Sequence, residues 1–398
     1  MYDIKNIFLY SQKPFFDSIK STSNLVKPSF DDFFKGVEYS CNNNSLSSGN
    51  LIEQFEAELS KIHGTKYCIS FCNGLWAMVL TMKLLALKGR NEVVMPAMTY
   101  RRLADIVAWL NLIPHFTDVN PTTLSCTAED FELSINKNTS LLLVAQPIVK
   151  VCDMESFERL GAKYDIPVFF DSVEAGIGTL NGRKIGSFGD AEAFSMHASK
   201  LINGFEAGYI TTNNEELANN LILLRDNGID SKSGEIKELG LNAKLNEIHA
   251  SMGLIGLHEF DQQIAKNITR YNTYIEIVDK IEGLTVVKYD KTEKRTYKNI
   301  LIEIEDEWPF SREDTLKLMH ADNMLARPYY WPPLHKKETS YQTITGKIQY
   351  AEKISEKYIL MPSGDFVSTN DIKMIGDYLQ LIRKNAKEIK EKIVHEHF

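Results

Sequence analysis

The stretch from Phe169 to Gly208, FFDSVEAGIGTLNGRKIGSFGDAEAFSMHASKLINGFEAG, constrains the fold more than any other part of the chain. The run Ile166-Pro167-Val168-Phe169-Phe170 is apolar without interruption, as a strand covered on both faces must be, and it ends on an acid, Asp171. A second run, Ala191 to Met196, follows a glycine-rich connection and leads through His197-Ala198-Ser199 to Lys200. Two buried strands therefore present a carboxylate and an amine at adjacent loop ends. Ligands of open α/β sheets bind in the crevice outside the carboxyl ends of the strands, so both groups can address one small molecule. The chemistry that wants this pair is that of pyridoxal phosphate (PLP). A lysine links covalently to that cofactor, and an acid keeps its pyridine nitrogen protonated so that the ring accepts electrons.

The flanking sequence continues the alternation. Leu51, Phe55 and Leu59 recur at a helical period after Asn50 and Glu53, a helix-start pair, and Gly64 closes that element. Tyr67 to Phe71 reads as a strand and Leu75 to Leu87 as an apolar helix, joined by Cys72-Asn73-Gly74. A strand that passes through a glycine turn into a helix cradles phosphate, because free backbone N–H groups and the helix dipole face the anion. Further strands are expected at Glu92–Pro96, Ile113–Asp118, Leu141–Ala145 and Gly208–Thr212, with helices at Ala128–Ile135, Asp153–Tyr164 and Glu215–Arg225. Strands alternating with helices predict a parallel, doubly wound sheet.

From Lys244 to Ile281 the pattern is long and helical, which places the boundary between a large domain, residues 1–255, and a smaller C-terminal one, residues 256–398. The second part carries a strand at Tyr297–Ile304, a helix at Arg312–His320 and an amphipathic helix from Asn370 onward. Residues 1–48, grouped with the large domain, are polar and broken, and Cys41 to Gly49 reads as a loop.

At 398 residues with 43% hydrophobic and 25% charged content, the chain has ample material for a large core. Its net charge of -8 argues against a nucleic-acid partner. Five scattered cysteines without metal-ligand spacing read as reduced thiols, so no metal site is implied. Neither a signal peptide nor a membrane span is present in the pattern, which makes a cytoplasmic protein the expectation.

The segment resembles the DegT/StrS group of sugar aminotransferases, of PLP fold type I. The group's pattern runs roughly Asp-Ala-Ala-Gln/His, Gly-x-x-Gly-Asp, Ser-Phe-His-x-x-Lys and Glu-Gly-Gly. Here it reads Asp171-Ser172-Val173-Glu174, Gly186-Ser187-Phe188-Gly189-Asp190, Ser195-Met196-His197-Ala198-Ser199-Lys200 and Glu206-Ala207-Gly208. The resemblance implies an α/β fold, a large doubly wound mixed sheet domain with a smaller C-terminal α/β domain. It also implies that Lys200 carries the cofactor, Asp171 partners the pyridinium and Ser195 contacts the phosphate.

The same resemblance gives Asn73, Gly74 and Leu75 to the phosphate turn, although the group has threonine where Leu75 stands. Tyr100, in Ala97-Met98-Thr99-Tyr100, matches an aromatic that stacks on the cofactor. Asn242, in Gly240-Leu241-Asn242-Ala243-Lys244, matches an asparagine that reaches the other subunit's phosphate; taken alone it reads as a helix cap. Tyr329 and His335, within Arg327-Pro328-Tyr329-Tyr330-Trp331-Pro332-Pro333-Leu334-His335, match a segment near the substrate.

The implied activity is transfer of an amino group, from glutamate as the group's usual donor, to a keto sugar linked to a nucleotide, in a homodimer with shared sites. Two alternatives stand beside it: a PLP-dependent sugar dehydratase, in which a histidine occupies the lysine position, and a degenerate scaffold that binds without turnover. The chain departs from the group at Leu75, Gln146, Glu174 and Ala207. Position 174 matters most, because the group places Gln or His there, beside the phenolic oxygen of PLP, and an ionised Glu can only accept a hydrogen bond. Three outcomes are open: Glu174 is protonated, it turns away to pair with a cation such as Arg101 or Arg102, or it meets a substrate hydroxyl. A raised pKa or an outside partner is the expectation, since two adjacent anions in a dry pocket are costly.

Overall fold

The computed structural model describes residues 2–22, 26, 29–42 and 49–396. Its centre is an eight-stranded sheet. Seven of the strands come in chain order from Tyr67–Phe71 (β1), Glu92–Pro96 (β2), Ile113–Thr117 (β3), Thr139–Ala145 (β4), Val168–Asp171 (β5), Ala191–Ser195 (β6) and Gly208–Thr212 (β7). Across the sheet the order is Ile344–Thr345, β3, β2, β4, β5, β6, β7, β1. All neighbours are parallel except β7, which runs antiparallel to β6 and to β1. The sheet is therefore mixed, and the short strand Ile344–Thr345 returns from the C-terminal part of the chain to cover its edge at β3. Strands β2 and β4 are buried at every position, their polar first residues Glu92, Thr139 and Ser140 included.

Helices fall close to the expected places. The helix Asn50–His63 buries Ile52, Phe55 and Leu59 and stops where Gly64 takes a left-handed φ of 69°. Asn50 is its first residue rather than its cap; the Leu51 and Ile52 amides donate instead to the Glu247 carboxylate, at 3.1 and 3.2 Å. The expected continuous helix from Lys244 is two, Glu247–His258 and Phe260–Val278, jointed at Glu259, and its cap is Asn246, not Asn242. The first packs on Asn50–His63, the second on the helix Thr369–Lys384. The expected boundary between residues 255 and 256 falls inside Glu247–His258. A second, antiparallel sheet lies beyond it, in the order Leu284–Val286, Ile300–Ile304, Tyr358–Met361, Arg327–Pro328.

The N-terminal segment differs from its polar, broken reading. Phe30–Asn42 is a helix packed against Glu247–His258, so closely that a Cβ on Gly36 would lie 1.7 Å from Ser251 Oγ. Most of the Asn/Ser run read as a loop, residues 43–48, lies outside the described residues. Farther upstream the chain packs on the C-terminal unit: the Phe8 and Phe15 amides donate to Asp322 Oδ1 at 2.8 and 2.9 Å, and Lys20–Ser21 pairs with Met324–Leu325. Among the described residues no helix is long and apolar enough to cross a membrane.

Candidate active site

Strand register gathers the site at one rim of the large sheet. Asp171, the last residue of β5, pairs with Ala193 of β6, and Ser195, the last of β6, pairs with Gly208, the first of β7. Gly208 in turn pairs with Phe71, the last residue of β1, so the Cys72-Asn73-Gly74 turn leaves beside it. The helix Gly74–Leu85 starts there, with Asn73 Oδ1 accepting from Trp76 N at 2.9 Å. The Gly74 and Leu75 amides have no acceptor among the described residues, and Gly74 faces Ser195: a Cβ built on it would lie 3.6 Å from Ser195 Cβ. Such a helix start offers N–H groups and a dipole to a phosphate, with the Ser195 hydroxyl alongside. Glycine is required at position 208, where a Cβ would come within 2.5 Å of Gly74 Cα.

Asp171 is only 8% exposed. Among the described residues one donor reaches it, the Val173 amide at 3.2 Å to Oδ1. Burial pushes its carboxyl up to about 6. Among the described residues no cation pairs with it directly, and the charges of Lys200 and Lys298 offset its burial only in part. Lys200 stands in the turn after β6, with Nζ donating to Glu174 Oε1 at 2.7 Å. The other carboxylate oxygen of Glu174 takes Asn299 Nδ2 at 2.9 Å and pairs with Lys298 Nζ at 3.2 Å. Burial alone would raise the Glu174 carboxyl, but Lys200 and Lys298 outweigh it and hold it well below the usual carboxylate range. The expectation of a raised pKa is thus overturned. Nor does Glu174 turn away to Arg101 or Arg102: its partners are Lys200, the site lysine itself, and Lys298. Lys200, Lys298 and Ser195 line one small cavity with Phe194 and Thr296.

The remaining expected residues are placed unevenly. Tyr100 is 51% exposed at the end of β2, and Asn242 is exposed beside the phosphate turn, since the next carbonyl, of Ala243, accepts from Cys72 N at 2.8 Å. His335 pairs through Nε2 with Glu352 Oε1 at 3.0 Å. Tyr329 is wholly buried, so its ring has no surface to offer a substrate. Its neighbour Tyr330 keeps part of its surface open; burial, and then the charge of Glu174, push its hydroxyl up, as they do that of Tyr329, and its backbone takes a left-handed φ of 42°, an uncommon conformation for a bulky residue. Gln146 is a loop clamp, accepting from Cys152 N at 3.0 Å through Oε1. In the Gly186–Asp190 motif, the Gly186 and Phe188 amides donate to the buried Glu192, and Asp190 accepts from Val168 N at 2.8 Å. That motif braces the two site strands.

Lys298, Asn299 and Tyr330 were not singled out from sequence. Lys298 and Asn299 precede the strand Ile300–Ile304 as two polar residues in an ordinary run, and nothing local shows that they cross to a loop 125 positions earlier.

A parallel-centred α/β sheet with a buried acid and a lysine at neighbouring strand ends defines the class, an enzyme built to hold PLP. The model of the DegT/DnrJ/EryC1/StrS aminotransferase family matches residues 30–380, and the chain belongs to that family. It is 25% identical over 328 residues to a GDP-perosamine synthase of Caulobacter vibrioides, covering 82% of this chain and 88% of that protein. It is 24% identical over 367 residues to a dTDP-4-amino-4,6-dideoxy-D-glucose transaminase of Shigella dysenteriae, covering 91% and 97%. Among solved structures, DesI in the presence of its TDP-sugar product superposes with a TM-score of 0.91 at 24% identity, covering 98% of this chain and 99% of that one. The fold is that of PLP fold type I.

Proposed function

We propose that this protein is a PLP-dependent transaminase that places an amino group on a keto-deoxy sugar linked to a nucleotide, with glutamate as the donor. The observation that carries the reading is the buried, cation-poor Asp171 beside a rim that also presents Lys200. The nucleotide-sugar substrate is supported by the relatives, which are named for GDP- and dTDP-linked amino sugars. When bound, PLP supplies an electron sink that stabilises negative charge on the carbon next to the nitrogen.

The residues divide the work. Asp171, largely buried, would balance a positive ring nitrogen. The Gly74 and Leu75 amides and the Ser195 hydroxyl would hold the phosphate and so fix the ring's orientation. Lys200 is an amine on a short turn and, when free, would take and return a proton at the substrate carbon. Tyr100, with half its surface open, provides a ring face. A histidine could not replace Lys200 in the covalent role, which separates this reading from a dehydratase.

We further infer a homodimer in which Asn242 of each chain reaches its partner's phosphate site. The reading is supported by the exposure of Asn242, which leaves its side chain open to a second chain. Incubation with PLP, glutamate and a panel of nucleotide-linked keto sugars should give 2-oxoglutarate with one or a few of them. Colour with PLP but no 2-oxoglutarate from any sugar or donor would leave a binding scaffold instead.

A further inference from the structure

Glu174 and Lys298 form a charge pair that the transamination reading does not use. The Lys298 side chain is 5% exposed and donates to the Val173 carbonyl at 3.0 Å. Among the described residues Glu174 is its one carboxylate partner within ion-pair distance. Glu174 is thus shared, Oε1 toward Lys200 and Oε2 toward Lys298 and Asn299. The two lysines differ in what the reaction asks of them. Lys200 must give up its proton and its position, whereas Lys298 sits at the head of a strand of the second sheet and has no such task.

We propose that Lys298 is a positioning residue of the active site: with Asn299 it fixes one oxygen of Glu174, so that the other is presented to Lys200, and it keeps that carboxylate compensated whenever Lys200 is neutral or linked to the cofactor. The proposal rests on the functional reading above. Its physical basis is that a buried carboxylate left without a cation is strongly unfavourable. With Lys200 alone as partner, Glu174 would lose its compensation at the moment Lys200 became reactive. With Lys298 present the anion stays paired throughout. Burial pulls the Lys298 ammonium down to about 8, and Glu174 opposes that pull, so the pair is mutually dependent. The other titratable groups facing it are Asp171 and the hydroxyls of Tyr289, Tyr329 and Tyr330.

Two measurements test this. In the cofactor-free protein at pH 7, thermal unfolding is followed for K200A, K298M, K200A/K298M and K200A/K298M/E174Q. Either single variant leaves Glu174 one lysine. The double strands it, and should lose several degrees more than the two singles together, with E174Q restoring most of the difference. Additive losses would overturn the proposal. In the PLP-loaded protein, the pH titration of the visible band should move up by about one unit in K298M, down by a similar amount in E174Q, and lie near wild type in K298R and in E174Q/K298M. A K298M titration that superimposes on wild type, with the E174Q one displaced, would show that Lys298 does not act on the site. If the wild type takes up no PLP, the functional reading fails, and the unfolding series still decides whether Glu174 is shared.

Discussion

The two walls of the pocket are built differently. One is the rim of the large sheet, where Asp171, Ser195 and the Asn73-Gly74 turn stand at strand ends and are placed by backbone register. The other comes from the C-terminal unit, where Lys298 and Asn299 reach across to Glu174 through side chains. Two acids three residues apart show the consequence. Asp171, on the rim, is buried with a single amide and is pushed up to about 6, whereas Glu174, facing the second wall, has two lysines and is held well down. Among the described residues no cation lies within ion-pair distance of the first acid, whereas two lysines hold the second. On the proposed function the cofactor's positive charge belongs at the rim, and the second wall acts on Lys200 through Glu174.

The difference can be broken from either side. The largest effect is expected at Lys200: Lys200→Ala should cut turnover by roughly 10,000-fold or more. Its circular dichroism should stay native, because Lys298 and Asn299 still hold Glu174. Transfer at near wild-type rate would remove Lys200 from its role. Asp171→Asn should follow, with PLP still bound and a loss of about 30- to 1,000-fold in kcat, equivalent to about 2–4 kcal/mol for one charge-assisted contact in a buried site. A loss of tenfold or less would point to another acid.

On the second wall, Tyr330→Phe should lower kcat/KM by about tenfold, the scale of one hydrogen bond to a charged group. Tyr329→Phe should leave KM unchanged. An effect confined to Tyr329 would reverse the assignment made from their burial.

A smaller effect concerns stability. Because burial raises Asp171 in the folded state from 3.8 to about 6, its favourable contribution is fully present below about pH 4 and is lost as pH rises through about 6. Asparagine has no charge to bury. Cofactor-free Asp171→Asn should thus be more stable than wild type at pH 8 by up to about 3 kcal/mol, from roughly two units at 1.4 kcal/mol each, and the gap should vanish below about pH 4. Added PLP should narrow the gap at pH 8 by supplying the missing cation. Equal denaturant midpoints for the two cofactor-free proteins at pH 8 would show that Asp171 is solvated after all.

The same contrast explains what could be read in the sequence. Asp171, Lys200 and the Asn73-Gly74 turn stand at or just beyond the ends of apolar strands, so hydrophobic patterning and strand ends located them, while the resemblance singled out Ser195; β5, β6 and β7 lie within two residues of their expected bounds. The antiparallel course of β7 follows from its short connection back from β6, and the resemblance, not the periodicity, pointed to a mixed sheet. The Lys298 side chain gives no local signal, because its meaning depends on a carboxylate brought near by the packing of two units. Likewise Tyr329 and Tyr330 are the same residue type side by side, and only the fold shows that the first is wholly buried while the second keeps part of its surface open. The helix Phe30–Asn42 escaped notice because it gains its stability from lying against Glu247–His258, a contact no local window contains.

The central claim is that, of two lysines lining one cavity, Lys200 and not Lys298 bears the cofactor. Borohydride reduction of the PLP-loaded protein, followed by proteolysis and mass spectrometry, fixes the cofactor to whichever lysine holds it. The account predicts a pyridoxyl-phosphate adduct on the peptide containing Lys200 and none on the peptide containing Lys298. An adduct on Lys298, or none on either lysine from a protein that has bound PLP, would contradict it.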